Sequence, residues 1–126
     1  TTTLVTTESF IVAASDETTA LTASTSVAKV AFRMPYAFTL SSVHATVVTA
    51  PTGSTLTADV HDSGTTIFST KPTIDASEFS SVTAATAPVL SDTALAADAL
   101  IECFADSVGA TIAGAGLKFI FFGKRA

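Results

Sequence analysis

Apolar and polar positions alternate with a period of two along most of the chain. In the run from Thr55 to Asp62, Leu56, Ala58 and Val60 alternate with Thr57, Asp59 and His61, the pattern of a strand with one buried face. Asp62-Ser63-Gly64 separates this run from Thr65–Thr70, and a short Asp/Ser/Gly link between two such runs predicts a hairpin. Further strands are predicted at Ser9–Ala14, around Phe10-Ile11-Val12, and at Val27–Arg33, where Ala28, Val30 and Phe32 share a face. Others follow at Phe38–Val48, with Val43, Ala45 and Val47 on one face, at Ala99–Asp106, and at Leu117–Phe122. Glu78–Thr83 is short and polar and reads as an edge strand. Pro35, Pro51, Pro72 and Pro88 all fall between these runs, where a missing N–H costs no ladder bond. Ser91–Asp98 offers a capping residue and high helix propensity, predicting a helix of one or two turns.

About eight short strands predict an all-β fold: an antiparallel two-sheet β-sandwich, jelly-roll-like. Phe10, Phe32, Phe68, Phe119 and Phe121 are its expected large core residues. The 126 residues suit one domain, read as an N-terminal arm and first strand over residues 1–15 and a sandwich over 16–126. Thr1–Thr7 carries neither the basic start nor the apolar centre of a secretion signal. It reads as a docking arm, with Leu4 and Val5 its only apolar contacts.

Composition narrows the function. A net charge of −5 argues against a nucleic-acid partner, which calls for a basic stripe. No run approaches the roughly 18 apolar residues of a membrane helix. Polarity comes from 23 Thr and 14 Ser rather than from charge, since only 13% of residues are charged. Such a surface is expected on long-lived extracellular or virion β-proteins. Cys103 is the sole cysteine. It lies in an apolar run without basic neighbours, which predicts a buried, inert thiol.

Catalytic and metal chemistry finds little support. His44 and His61 lie on the polar sides of their strands, and neither has a second ligand at metal spacing. Asp59, Asp62, Ser63 and Gly64 make a loose match to a calcium loop. His61 and Ser63, however, occupy two ligand positions, and Thr70 stands where the closing Glu belongs. No G-x-S-x-G elbow occurs. Gly114-Ala115-Gly116 lacks the Lys and Ser/Thr of a phosphate loop. The reading is therefore of a non-enzyme without cofactor or metal. With Ile101, Cys103, Phe119 and Phe121 inward, Leu100, Phe104, Ile120 and Phe122 point outward and become candidate interface residues. Phe79 joins them as an exposed aromatic candidate.

Several segments carry a resemblance. They are Ala28–Leu40 (AKVAFRMPYAFTL), Thr49-Ala50-Pro51-Thr52-Gly53, Ala58-Asp59-Val60, Gly64–Thr70 (GTTIFST) and Lys71–Ala76 (KPTIDA). In this order they resemble a family of small β-sandwich virion proteins of tailed bacteriophages, over residues 16–126. After Ile74-Asp75-Ala76 the chain departs from the family's charged or Gly-containing turn, with Ser77-Glu78-Phe79 in its place. The resemblance implies a structural protein at the virion surface, foremost a capsid decoration or cement protein bound to the major capsid protein or other virion proteins. The alternative it implies is a receptor-binding tip of a tail fibre that recognises host polysaccharide. A head–tail or tail-tube accessory protein is a third reading. A homo-oligomer is expected, a trimer by the same resemblance, with Leu100, Phe104, Ile120 and Phe122 merged into one apolar patch.

Overall fold

A computed structural model describes residues 6–126. In chain order the strands are β1 (Glu8–Ala13), β2 (Val30–Arg33), β3 (Phe38–Thr46), β4 (Leu56–Asp62), β5 (Thr65–Thr66), β6 (Phe68–Thr70), β7 (Thr73–Ile74), β8 (Val89–Leu90), β9 (Ala94–Leu95), β10 (Leu100–Val108) and β11 (Lys118–Arg125). One sheet, here sheet A, has the order β1-β11-β3-β9. Sheet B has the order β2-β10-β4-β5, with β7 also paired to β4, and β6 and β8 form a small separate ribbon. The pairings are nested: β1 with β11, β2 with β10, β3 with β9, and β4 with its own hairpin partners. A long hairpin rolled up on itself produces that nesting, which is the jelly-roll arrangement.

The core lies between the sheets. Phe119 and Phe121 of β11 and Val43 and Ala45 of β3 meet Leu56, Ala58 and Val60 of β4 and Ile101, Cys103 and Ala105 of β10. All are at most 1% exposed. Phe10 stacks on Phe121 at 4.8 Å and meets Phe32 edge-on at 6.2 Å, so aromatic pairs join β1 and β2 across the open side of the sandwich. The hairpin forms at Ser63-Gly64. Both residues have positive φ, 52° and 90°, as a tight hairpin turn of the type I′ class requires.

Two bulges shape the sheets. In β3, Ser42 pairs with Phe122 and Leu40 with Gly123, leaving Ser41 as an extra residue. The strand therefore reverses its facing at Ser41, and Phe38 and Leu40 become core residues alongside Val43 and Ala45. In β10, Ala105 pairs with Ala58 and Ser107 with Thr57, leaving Asp106 extra. The Ser107 hydroxyl closes this bulge, accepting from Thr57 N at 3.0 Å and donating to Thr55 O at 3.0 Å.

Two expected elements differ. Ser91–Asp98 is not a helix: β9 pairs there with Phe38 and Thr39. The Asp92 carboxylate accepts from Ala94 N at 3.1 Å, a local turn, and the extended chain delivers Leu95 to the core at 2% exposure. Tertiary burial of one leucine outweighs the helix propensity of the alanines. Glu78–Thr83 is not an edge strand but ends in a 3₁₀ turn, Ser81–Thr83, capped by Ser80. The Ser81 hydroxyl instead accepts from Ala45 N at 2.9 Å and, with Val47 N donating to Phe79 O at 3.0 Å, closes the outer edge of β3.

Candidate interaction surface

The outer face of sheet A is assembled by register. Ile11, Ile120 and His44 form one cross-strand row, and Ser9, Phe122 and Ser42 form the next. Ile11 is 65% exposed. Ile120 and Phe122 are half-buried, and the His44 ring lies 5.0 Å from that of Phe122. No carboxylate stands in these rows. The adjoining row is Ala13, Lys118 and Thr46, and Lys118 is tied down by Glu17. The result is a strip that is apolar at its centre and edged by hydroxyls. Such a surface suits burial against another apolar face, and His44 is the one ionisable side chain in its two central rows.

Ile120 and Phe122 thus lie on the outward side, as expected, while Ile11 was missed. The signal was hidden because Phe10-Ile11-Val12 is apolar throughout. Phe10 and Val12, two residues apart, take the inner side and force Ile11 out. Phe79 is 57% exposed and flanks β3 on the edge away from β1. Leu4 and Val5 lie outside the described residues.

The other two candidates require correction. Leu100 and Phe104 belong to β10 in sheet B and face the opposite side of the molecule from Ile120 and Phe122, so the four do not merge into one patch. Leu100 is half-buried. Phe104 does point away from the central core, but it is only 3% exposed, beneath the His61 ring at 4.3 Å.

A charge cluster accounts for that burial. Asp59, opposite Phe104 in the β4–β10 register, is 2% exposed. Its carboxylate accepts from Val60 N at 2.8 Å, from Thr66 Oγ1 at 2.5 Å and from Lys71 Nζ at 3.2 Å, and it meets His61 Nε2 at 3.0 Å. Lys71 Nζ also reaches Asp106 Oδ2 at 2.7 Å. The bulge aims Asp106 at Lys71. The hydrogen bond to Asp106 is the main cause that holds the Lys71 ammonium above its ordinary range, with Asp59 adding to it against the opposing effect of burial. Expecting Asp59 and His61 on plain strand surface was therefore wrong, because the β5–β7 segment folds back over them. The carboxylate stands between hydroxyl and imidazole, so the Thr66 proton is directed at Asp59. The hydroxyl–imidazole–carboxylate order of a nucleophilic triad is not formed.

Grooves also open among the described residues. One, of about 330 Å³, lies beside the β3 bulge and is lined by Ser41, Ser42, His44, Phe68, Val89 and Thr93 among others. Another, of about 240 Å³, opens between β1 and β2 and is lined by Phe10, Val12, Phe32, Met34, Pro35 and Tyr36. Among the described residues no group of three or more His, Cys, Asp or Glu could hold a metal ion. No protein-family model, no curated protein and no solved structure matches this chain.

Proposed function

We propose that this chain is a non-enzymatic structural protein of a phage particle surface, a capsid decoration protein that lies against its neighbour through the outer face of sheet A. The observation that supports this most is the strip of Ile11, Ile120, Phe122 and His44, free of carboxylates, across three strands of sheet A. Together with the segments that resemble small virion β-sandwiches, it favours docking over chemistry. The experiment is to add purified protein to phage heads assembled without it and to count bound copies by microscopy. Phe122→Asp, a half-buried outward position, should keep the strand-rich circular dichroism spectrum and reduce bound copies at least about tenfold, the scale expected for a charge pressed against an apolar contact. Undiminished attachment of the folded variant would sink the proposal.

The polysaccharide-binding alternative has its own supporting observation. The groove beside the β3 bulge combines hydroxyls of Ser41, Ser42 and Thr93 with His44 and the apolar Phe68 and Val89, a mix suited to a sugar ring. Binding to host-envelope glycans that is lost in Thr93→Val would favour it.

A further inference from the structure

We propose that the free edge of β1 is a self-complementary docking edge that pairs two copies of this chain about a two-fold axis at Ile11. The inference stands on β1 and its surroundings and does not depend on the virion reading. Ala14 N donates to Leu117 O, and by strand alternation the amides of Val12 and Phe10 also point toward β11. The amides and carbonyls of Ser9, Ile11 and Ala13 therefore point the other way. Among the described residues no strand pairs with that side.

Exposed edges are normally protected by charges, proline, bulges or covering segments. On the facing edge of sheet B, β2 has such protection: Lys29 just before it, Arg33 at its end and Pro35 just beyond. β1 has none. Ser9 to Ala14 is uncharged, and Glu8 at its start is engaged by Arg125 at 3.2 Å. In a chain of net charge −5, a charge-free edge is where two copies meet without repulsion.

The chemistry of the edge matches itself. An antiparallel two-fold pairing centred on Ile11 puts Ile11 opposite Ile11 of the second copy, and Ser9 opposite Ala13. Every outward amide and carbonyl of this stretch then gains a partner. On the outer side, Ile11, 65% exposed, covers its equivalent. On the inner side, Phe10 of each copy faces Val12 of the other, at the mouth of the apolar groove between β1 and β2. One partner strand thus satisfies the open edge, the exposed isoleucine and the groove, and β1 is itself a strand of that composition. The two A sheets become one continuous sheet, and the closed two-fold contact uses up the β1 edge of both copies.

The test is sedimentation velocity over a concentration series together with site-directed cross-linking. Wild type should reach a dimer mass, and Ile11→Pro should halve it, because the lost amide lies outside the β11 ladder. If Ile11→Pro loses its strand spectrum, Ile11→Lys at the same exposed position takes its place: a monomer supports the pairing and a dimer overturns it. A short bis-maleimide linker should join Ile11→Cys into dimers far faster than it joins Val82→Cys, an equally exposed position remote from β1. Cys103, 0% exposed, leaves both reactions without background. A wild-type monomer at every concentration, a trimer, or equal cross-linking at the two positions would each overturn the inference.

Discussion

Gly123 shows how one residue holds two others in place. It sits where β11 passes the β3 bulge, and a Cβ there would overlap the Thr39 carbonyl oxygen and come 2.7 Å from the Phe38 ring. Glycine is thus needed for close backbone approach, not for an unusual φ. Gly123→Ala must push β3 away or tilt Phe38, which is 1% exposed. The expected cost is about 1–3 kcal/mol, typical of overpacking, measured as a lower urea midpoint with unchanged slope. A neutral result would mean that the bulge yields freely. Phe38 also marks where residue patterning stops being readable. Continuing the alternation from Val43 and Ala45 would turn Phe38 and Leu40 outward. Only the extra residue at Ser41 turns them in, and a bulge leaves no trace in a Thr-Leu-Ser-Ser-Val string.

At the scale of elements, the strands and the Ser63-Gly64 hairpin were legible because period-two alternation and turn chemistry are local. The Asp59–His61–Thr66–Lys71–Asp106 cluster was not, since its members come from β4, β5, the segment after β6 and the bulge of β10, and only the rolled topology brings them together. The same topology separates Leu100 from Ile120 by assigning consecutive strands to different sheets, a choice that alternation alone does not make. The cluster fastens the β5–β7 segment over β4 and β10. Lys71→Met removes the cation shared by two carboxylates and leaves Asp59 buried with less compensation. Because Lys71 is 37% exposed at its side chain, water offsets part of the loss, and the expected cost is about 1–2 kcal/mol. Lys71→Met paired with Asp106→Asn should cost less than the sum of the two single changes, since they share one interaction. Strict additivity in that cycle would show that Lys71 and Asp106 act independently.

For the whole molecule, stability should fall on the alkaline side, and the sign follows from two groups. The Cys103 thiol is pushed up to about 12, first by burial and then by the Asp59 charge. In the unfolded chain a thiol titrates near ~8.5. Between these values the unfolded state gives up a proton that the folded state keeps, so stability present below about 8.5 is lost as pH rises toward 12. Lys71, raised in the fold, acts with the same sign at higher pH: its contribution is complete below the ordinary lysine value of ~10.4 and is lost above it. Urea midpoints should therefore hold steady to about pH 8 and then decline in two stages. Cys103→Ala should remove the first stage and keep the second, at the expense of a lower baseline of about 1 kcal/mol for the lost packing. Native protein at pH 8 should leave a thiol reagent unconsumed until urea is added. A decline that begins only near pH 10.4 in the wild type, or rapid native labelling of Cys103, would mean that the two sheets open around β10 more readily than its place at 0% exposure in the core allows.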